Sequence, residues 1–260
     1  MLKLIVQILS LGLIFCLEGF FPLFKDRKDR MGHAFNNVSV GALNGVMIYF
    51  LFSSLTVGSI QWAETRSFGL FRLVSLPRFS EGLFAFVLFD LWMYLWHFAN
   101  HNVPFLWRFH RMHHSDLELD STSALRFHTG EILLSSVVRL LVIPLLGMRF
   151  VHLFIYEACL GPVIIFHHSN IALPEKWDGK LRALIVTPNM HRIHHSREVF
   201  ETNSNYSSIF SFWDRIVKTF KKREDTTTLS YGLPYFRQAK WQGFAGMLKT
   251  PFVNQAAASE

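Results

Sequence analysis

Two cysteines in 260 residues, Cys16 and Cys159, both set in apolar runs, leave no disulfide framework and no cysteine-based zinc site. Charge is scarce as well: 17% of the residues are charged and 50% are hydrophobic, and the mean hydropathy is +0.24. That excludes a disordered chain and is unusually apolar for a soluble domain. Four motifs are missing: Glu-x-x-His, His-Glu-x-x-His, Gly-x-Ser-x-Gly and Gly-x-Gly-x-x-Gly. Without them a ferritin-like carboxylate site, a zinc protease, a serine hydrolase and a dinucleotide-binding domain lack support. There is no internal repeat, and the only low-complexity stretch is residues 254–260, NQAAASE, which is expected to fray.

Long apolar runs are present. A membrane span needs roughly 20 largely apolar residues. Residues 4–24, 40–62 and 81–99 meet that length, and the 27 phenylalanines suit lipid-facing surfaces. The first run reads as a retained helix and not a signal peptide, because only Lys3 precedes it as a basic residue and no small-residue cleavage site follows. Residues 132–148 and 150–166 are shorter and are separated by Gly147 and Arg149. They read as a tight hairpin that spans or re-enters, with Arg139 inside its first arm. Gly41 and Gly45 form a Gly-x-x-x-Gly that fits either a helix contact or two loosely packed glycines.

The basic excess, +7, is unevenly placed. Of 26 Lys and Arg, 20 fall in residues 25–30, 100–129 and 172–260, which these spans put on one side; leaving out the long C-terminal segment, the tally is 7 to 5. The positive-inside rule makes that side cytoplasmic. Met1 is then expected outside and Glu260 inside. The basic residues are mainly juxtamembrane, suited to anionic lipid, and nucleic acid is not an expected partner.

Histidine supplies 13 residues, and most are clustered. His97 and His101 form H-x-x-x-H at the end of the third span. His110, His113 and His114 form H-x-x-H-H, and His191, His194 and His195 repeat it. Positions i, i+3 and i+4 share a helix face, so each box points its imidazoles one way, and the charge argument puts all three boxes on the cytoplasmic side. Neutral imidazole ligates iron, zinc or copper. Eight box histidines exceed the needs of one metal, since a catalytic zinc takes three protein ligands; two metals fit the count better. His128 and one of His167 and His168 are further candidates and bring the total to ten.

These stretches carry a family resemblance. HFANH, FHRMHHSD, LRFHTGE, HHSN, TPNMHRIHHS, NSNY and FWDRIVKT, spread over residues 90–219, resemble in content and order the fatty acid hydroxylase / sterol desaturase superfamily of integral-membrane di-iron oxygenases. The resemblance implies two iron ions, with zinc as a substitute in overexpressed protein. It also implies O2 as oxidant, a lipid substrate, and electrons from an external ferredoxin or cytochrome with its reductase. The expected metal ligands are His97, His101, His110, His113, His114, His128, His168, His191, His194 and His195. His168 is preferred to its neighbour because it matches the family's His-Ser-Asn.

Ligating imidazoles usually donate their other N–H to an acceptor. Asp90, seven residues before His97 on the same helix face, either serves in that way or pairs with Arg139. Asp116, Asp120, Glu131, Asn170 and Asn205 are further candidates for such support. His33 and His152 are read as ordinary hydrogen-bonded residues.

The expected fold is all-α: a polytopic transmembrane bundle with a cytoplasmic, histidine-rich helical cap. It divides into an N-terminal transmembrane hairpin (1–79), a histidine-box core (80–220) and a C-terminal cytoplasmic tail (221–260), all in one domain. The expected activity is hydroxylation or desaturation of a lipid. The competing readings are a zinc-dependent lipid amide or ester hydrolase, which would leave most of the histidines unexplained, and a metal transporter, which would string ligands across the bilayer.

Overall fold

The structure, a computed structural model, describes residues 2–254; the expectations for Met1, for Glu260 and for most of the frayed end lie outside them. The helices up to the third histidine box are, in chain order, α1 (Leu2–Phe20), α2 (Arg30–Thr65), α3 (Leu70–Leu73), α4 (Arg78–Asn102), α5 (Pro104–His114), α6 (Thr129–Leu146), α7 (Phe150–His168), α8 (Glu175–Leu181) and α9 (Pro188–His194), and four short helices, Val199–Thr202, Phe212–Ile216, Ala239–Gln242 and Phe244–Lys249, follow. A 3-10 turn, Ser121–Leu125, lies between α5 and α6, and the described residues form no β-strand beyond three isolated bridges. The protein is all-helical, and five helices (α1, α2, α4, α6 and α7) are long and apolar enough to cross a membrane.

Their outer surfaces are apolar. Leu9 is 66% exposed and Phe50 72%, an arrangement that water disfavours and lipid does not. α6 and α7, of 18 and 19 residues, rise about 27–28 Å each, close to the roughly 30 Å hydrocarbon thickness. α2, with 36 residues, rises about 54 Å and continues well past the bilayer. Its first turns therefore carry His33 and Asn37 into the histidine-bearing end.

The helices do not pair in the order the chain delivers them. α1 packs on α7, α2 on α6, and α4 on α5 and α7. α1 and α2 meet through Arg30 and Glu18, and each finds its main partner further along the chain. Lys3 meets Glu157 at 2.7 Å near one end of α1, and Glu18 accepts from the Asn170 backbone at 2.7 Å near the other, so α1 and α7 run parallel. Phe89, Ile143, Leu153 and Tyr156 form the buried junction of α4, α6 and α7.

The turn between α6 and α7 is closed by Gly147 in the left-handed region (φ 74°), where glycine carries no Cβ penalty. Gly69 (φ 108°) lies against it. A Cβ on Gly69 would sit 2.4 Å from Gly147 N and from Pro144 O, so only glycine permits this approach. Of the Gly-x-x-x-G pair, Gly41 abuts Leu125, whereas a Cβ on Gly45 would meet nothing within 4 Å.

Residues 244–253 are packed against the rest of the structure. Met247 and Thr250 are fully buried, and Arg111 donates to the carbonyls of Thr250 and Val253, fastening residues 244–253 to α5.

Candidate metal centre

Local sequence explains how the boxes come to face one another. Pro104 begins α5 directly after α4 ends, where its missing N–H costs nothing. The chain doubles back there, and the α5 box returns towards His97 and His101. The third box lies on α9, started by the Thr187 side chain accepting from Met190 N and by Pro188 in the first turn. The C-terminal end of α7 delivers His168.

Nine of the ten expected ligands converge, in two groups. In one, single ring nitrogens of His97, His101, His110, His114 and His194 all lie within 4.8 Å of one another. In the other the same holds for His113, His168, His191 and His195.

The hydrogen bonds show which nitrogen is free. His97 Nδ1 donates to Tyr206 O (2.8 Å), His194 Nδ1 to Ser204 O (2.7 Å) and His110 Nδ1 to Glu131 Oε1 (2.9 Å). A neutral ring protonated at Nδ1 carries a lone pair on Nε2. The Nε2 atoms of His97, His101, His110, His114 and His194 are all buried and without a hydrogen-bond partner. Buried polar atoms are normally satisfied, and five unpartnered ring nitrogens on residues gathered this closely are what a cation would satisfy.

In the second group the Nε2 atoms touch directly: His168 to His113 at 3.1 Å, His191 to His168 at 3.0 Å and His195 to His191 at 3.1 Å. His168 Nδ1 donates to Ile164 O at 2.8 Å, which commits its Nε2 to the acceptor role. Burial and neighbouring imidazoles hold His113, His114, His191 and His195 well below the usual histidine range, and burial pushes His194 down to about 3. They remain neutral, the form that ligates. The residues present fit two metal ions.

His128 is not brought to either group. Its Nδ1 accepts from Gly130 N (2.9 Å) as the N-cap of α6, and its Nε2 meets Leu248 O at 3.1 Å. Both nitrogens are occupied by the backbone, so the ten-ligand expectation becomes nine. His167, the neighbour of His168, lies with its ring 4.1 Å from the His191 ring, tilted by 34°, and belongs to neither group.

Of the expected supporting residues, Glu131 alone touches a box histidine. Its Oε1 also accepts from Asn100 Nδ2 at 3.0 Å. Asp90 accepts from Tyr156 Oη (2.8 Å), Ile209 N (3.3 Å), Phe210 N (3.0 Å) and Trp213 Nε1 (2.9 Å). It clips residues 209–213 to α4, and Arg139 pairs instead with Glu157. Asp116 and Asp120 hold the two ring nitrogens of His33, at 2.8 and 3.1 Å. Asn170 grips Phe24 through both amide atoms, and Asn205, at φ 53°, joins Met190 O to Lys221. These four residues shape the scaffold around the centre.

Sequence reasoning missed the carbonyls of Ser204 and Tyr206 and the side chain of Asn100. The last had a signal: Asn100 lies three residues after His97, on the same helix face.

Two cavities reach the centre. One, of about 220 Å³, lies among α4, α6 and α7 and is lined by Met93, Trp96, Ile132, Leu160 and Ile164 as well as by His97, His110 and His168. The other, of about 340 Å³, reaches His101 from the side of residues 197–203 and 233–235, past Trp107 and Arg197.

Five helices apolar enough to cross a membrane, with two polyhistidine groups at one end that could hold metal ions, define the class of the site. The fatty acid hydroxylase family model matches residues 82–219, more than half of the chain, and the chain belongs to that family. Among curated proteins it is similar to the ornithine lipid hydroxylase OlsE of Rhizobium tropici, 25% identical over 95% of this chain and 75% of that one. It is 27% identical to the alkylglycerol monooxygenase of Caenorhabditis elegans, over 85% of this chain and 43% of the relative. It is 24% identical to human cholesterol 25-hydroxylase, over 54% and 50% respectively. Against the last two it therefore spans half the relative's length or less. No solved structure matches the chain.

Proposed function

We propose that the protein is a membrane-embedded oxidoreductase that hydroxylates or desaturates a lipid, using O2, two histidine-bound iron ions and electrons from an external carrier. One observation carries this reading: two groups of histidines, the first with five unpartnered Nε2 atoms, adjoin a largely apolar cavity between membrane-spanning helices, and His97, His110, His113, His168 and His191 stand on its wall. Hydroxylase and monooxygenase activities on lipids, in the names of the relatives above, support it.

Bound iron would supply O2 activation and C–H oxidation, the chemistry that no side chain here offers. The chain's own part is placement. Glu131, Tyr206 O and Ser204 O fix the tautomers and ring orientations of His110, His97 and His194. Trp96, Met93, Ile132 and Leu160 exclude water and hold an alkyl chain alongside. Hydroxylation converts C–H and O2 into C–OH and water with two electrons and two protons from outside. The cavity past Trp107 and Arg197 is the route by which a carrier, a ferredoxin or cytochrome with its reductase, approaches His101. The charge asymmetry supports a cytoplasmic histidine-bearing end, the side on which such carriers are reduced.

The test is a reaction of the purified chain in nanodiscs with a membrane-lipid extract under isotopically labelled O2, with and without a reduced carrier. Label in a lipid hydroxyl, or loss of two hydrogens, is expected only with carrier and O2 together. Ester or amide cleavage that proceeds without O2 would overturn the reading in favour of a hydrolase.

A further inference from the structure

The cavity beside the histidines is not uniformly apolar. At its histidine end stand Asn100, Glu131 and His167, with Ile132 beside Glu131; two turns further along α4 and α7 the wall is Met93 and Leu160, and Arg139 lies two turns along α6. The three polar residues share an unusual property. Asn100 Oδ1, Glu131 Oε2 and His167 Nδ1 are each buried and without a hydrogen-bond partner among the described residues. None of the three residues belongs to the two metal groups.

The hydrogen bonds fix the sense of two of these atoms. Glu131 Oε1 accepts from both Asn100 Nδ2 (3.0 Å) and His110 Nδ1 (2.9 Å). Flipping the Asn100 amide would set oxygen against oxygen, so its Nδ2 must face Glu131 and its Oδ1 is left over. In its ionised form the carboxylate is acceptor-only, so Oε2 is left over as well. Two surplus acceptors thus sit on adjoining residues, and His167 can take either sense by choice of tautomer. A buried acceptor without a donor is costly, and a purely hydrocarbon ligand would leave it so.

We propose that the oxygens of Asn100 and Glu131 receive O–H or N–H donors of a lipid headgroup, so that the carbon oxidised lies beside the polar head and the tail runs into the apolar depth of the cavity. The substrate class is then a hydroxyl- or amine-bearing polar lipid, not a sterol side chain or an acyl-chain interior. This rests on the oxygenase reading for the word oxidised; the binding station itself does not.

The experiment measures binding, with turnover as a second readout. The full chain in nanodiscs, metal-loaded and metal-stripped, is titrated with 1-O-hexadecylglycerol, its di-O-methyl ether, hexadecylamine and methyl hexadecanoate, each corrected for partition into empty nanodiscs. Each donor-bearing probe is expected to bind about tenfold tighter than its donorless counterpart, as one or two hydrogen bonds to buried acceptors allow. Tight binding of the glycerol alone or of the amine alone identifies the donor. Asn100→Leu is expected to shrink the preference below about threefold while metal content is retained, because Asn100 is not a ligand. Equal binding of donor-bearing and donorless probes to the wild type overturns the proposal, whether or not turnover occurs. So does a metal-replete Asn100→Leu protein with undiminished preference. A persistent preference without O2-dependent turnover sustains the station and counts against the oxygenase reading instead.

Discussion

His168 Nε2 lies 3.0 Å from His191 Nε2, which brings the end of α7 and the start of the third histidine box to a single point. His167, one residue earlier and equally buried, belongs to neither histidine group, although its ring lies 4.1 Å from that of His191. Adjacent residues on a helix point about 100° apart, so one of the pair alone can face the centre. His168→Ala should therefore lose metal and activity together. His167→Ala should keep its metal and lose about 1 kcal/mol of stability, the ordinary cost of a buried substitution. Elemental analysis of the two purified variants checks this, and the opposite ranking would refute it.

His128 separates a helix cap from a ligand. Its Nδ1 accepts from Gly130 N at the start of α6, so His128→Ala should cost about 0.5–2 kcal/mol as the loss of an N-cap. Metal content should stay at the wild-type level, and His128→Asn, which retains a capping acceptor, should recover most of the stability. A fall in metal in step with the His113→Ala variant would show His128 to be a ligand after all.

Protons should compete with the fold as well as with the metal. His194 titrates at about 3 when buried, against about 6.5 for an unfolded imidazole. Between those values the unfolded chain binds more protons than the folded one. Stability is full above about pH 6.5 and is lost progressively as the pH falls towards 3. Metal-stripped protein should melt at a lower temperature at about pH 5 than at about pH 7.5. Reloading it at the higher pH should raise the melting temperature further, because ligation requires the same neutral rings. A melting temperature indifferent to pH across that range would count against buried neutral histidines.

Much of this was legible in the sequence because histidine spacing and helical period coincide. At i, i+3 and i+4 three imidazoles share a face, and apolar runs of membrane length leave few places for them to meet. His128 misled because its neighbourhood, LRFHTGE, matches the resemblance while its ring is used by the backbone of its own helix start. Asp90 misled because a carboxylate within a span suggests an ion pair; here four neutral donors from Tyr156, Trp213 and the 209–210 backbone satisfy it. The pairing of α1 with α7 and of α2 with α6 had no local signal at all. It depends on contacts between residues more than a hundred positions apart, such as Lys3 with Glu157, for the first, and some eighty apart, such as Asn44 with Thr129, for the second.

The same ion cluster gives a last prediction. Arg139 pairs with Glu157, which also receives Lys3, and the three join α6, α7 and α1 on the wall of a cavity that Phe52, Thr56 and Ser136 also line. Arg139 and Glu157 are about a quarter and a fifth exposed in their side chains, so the full cost of a broken buried pair, about 3–5 kcal/mol, does not apply. Removing Arg139 leaves Glu157 with Lys3 alone, and Arg139→Met should cost about 1–2 kcal/mol. Glu157→Met leaves two cations facing each other in an apolar setting and should cost more. The double variant, with neither charge stranded, should be more stable than Glu157→Met, giving a coupling in the range of about 0.5–3 kcal/mol expected for residues in contact. Thermal melts of the four proteins in one detergent close the cycle. Simple additivity would mean that the two side chains do not meet and that the pair does not help hold α6 to α7.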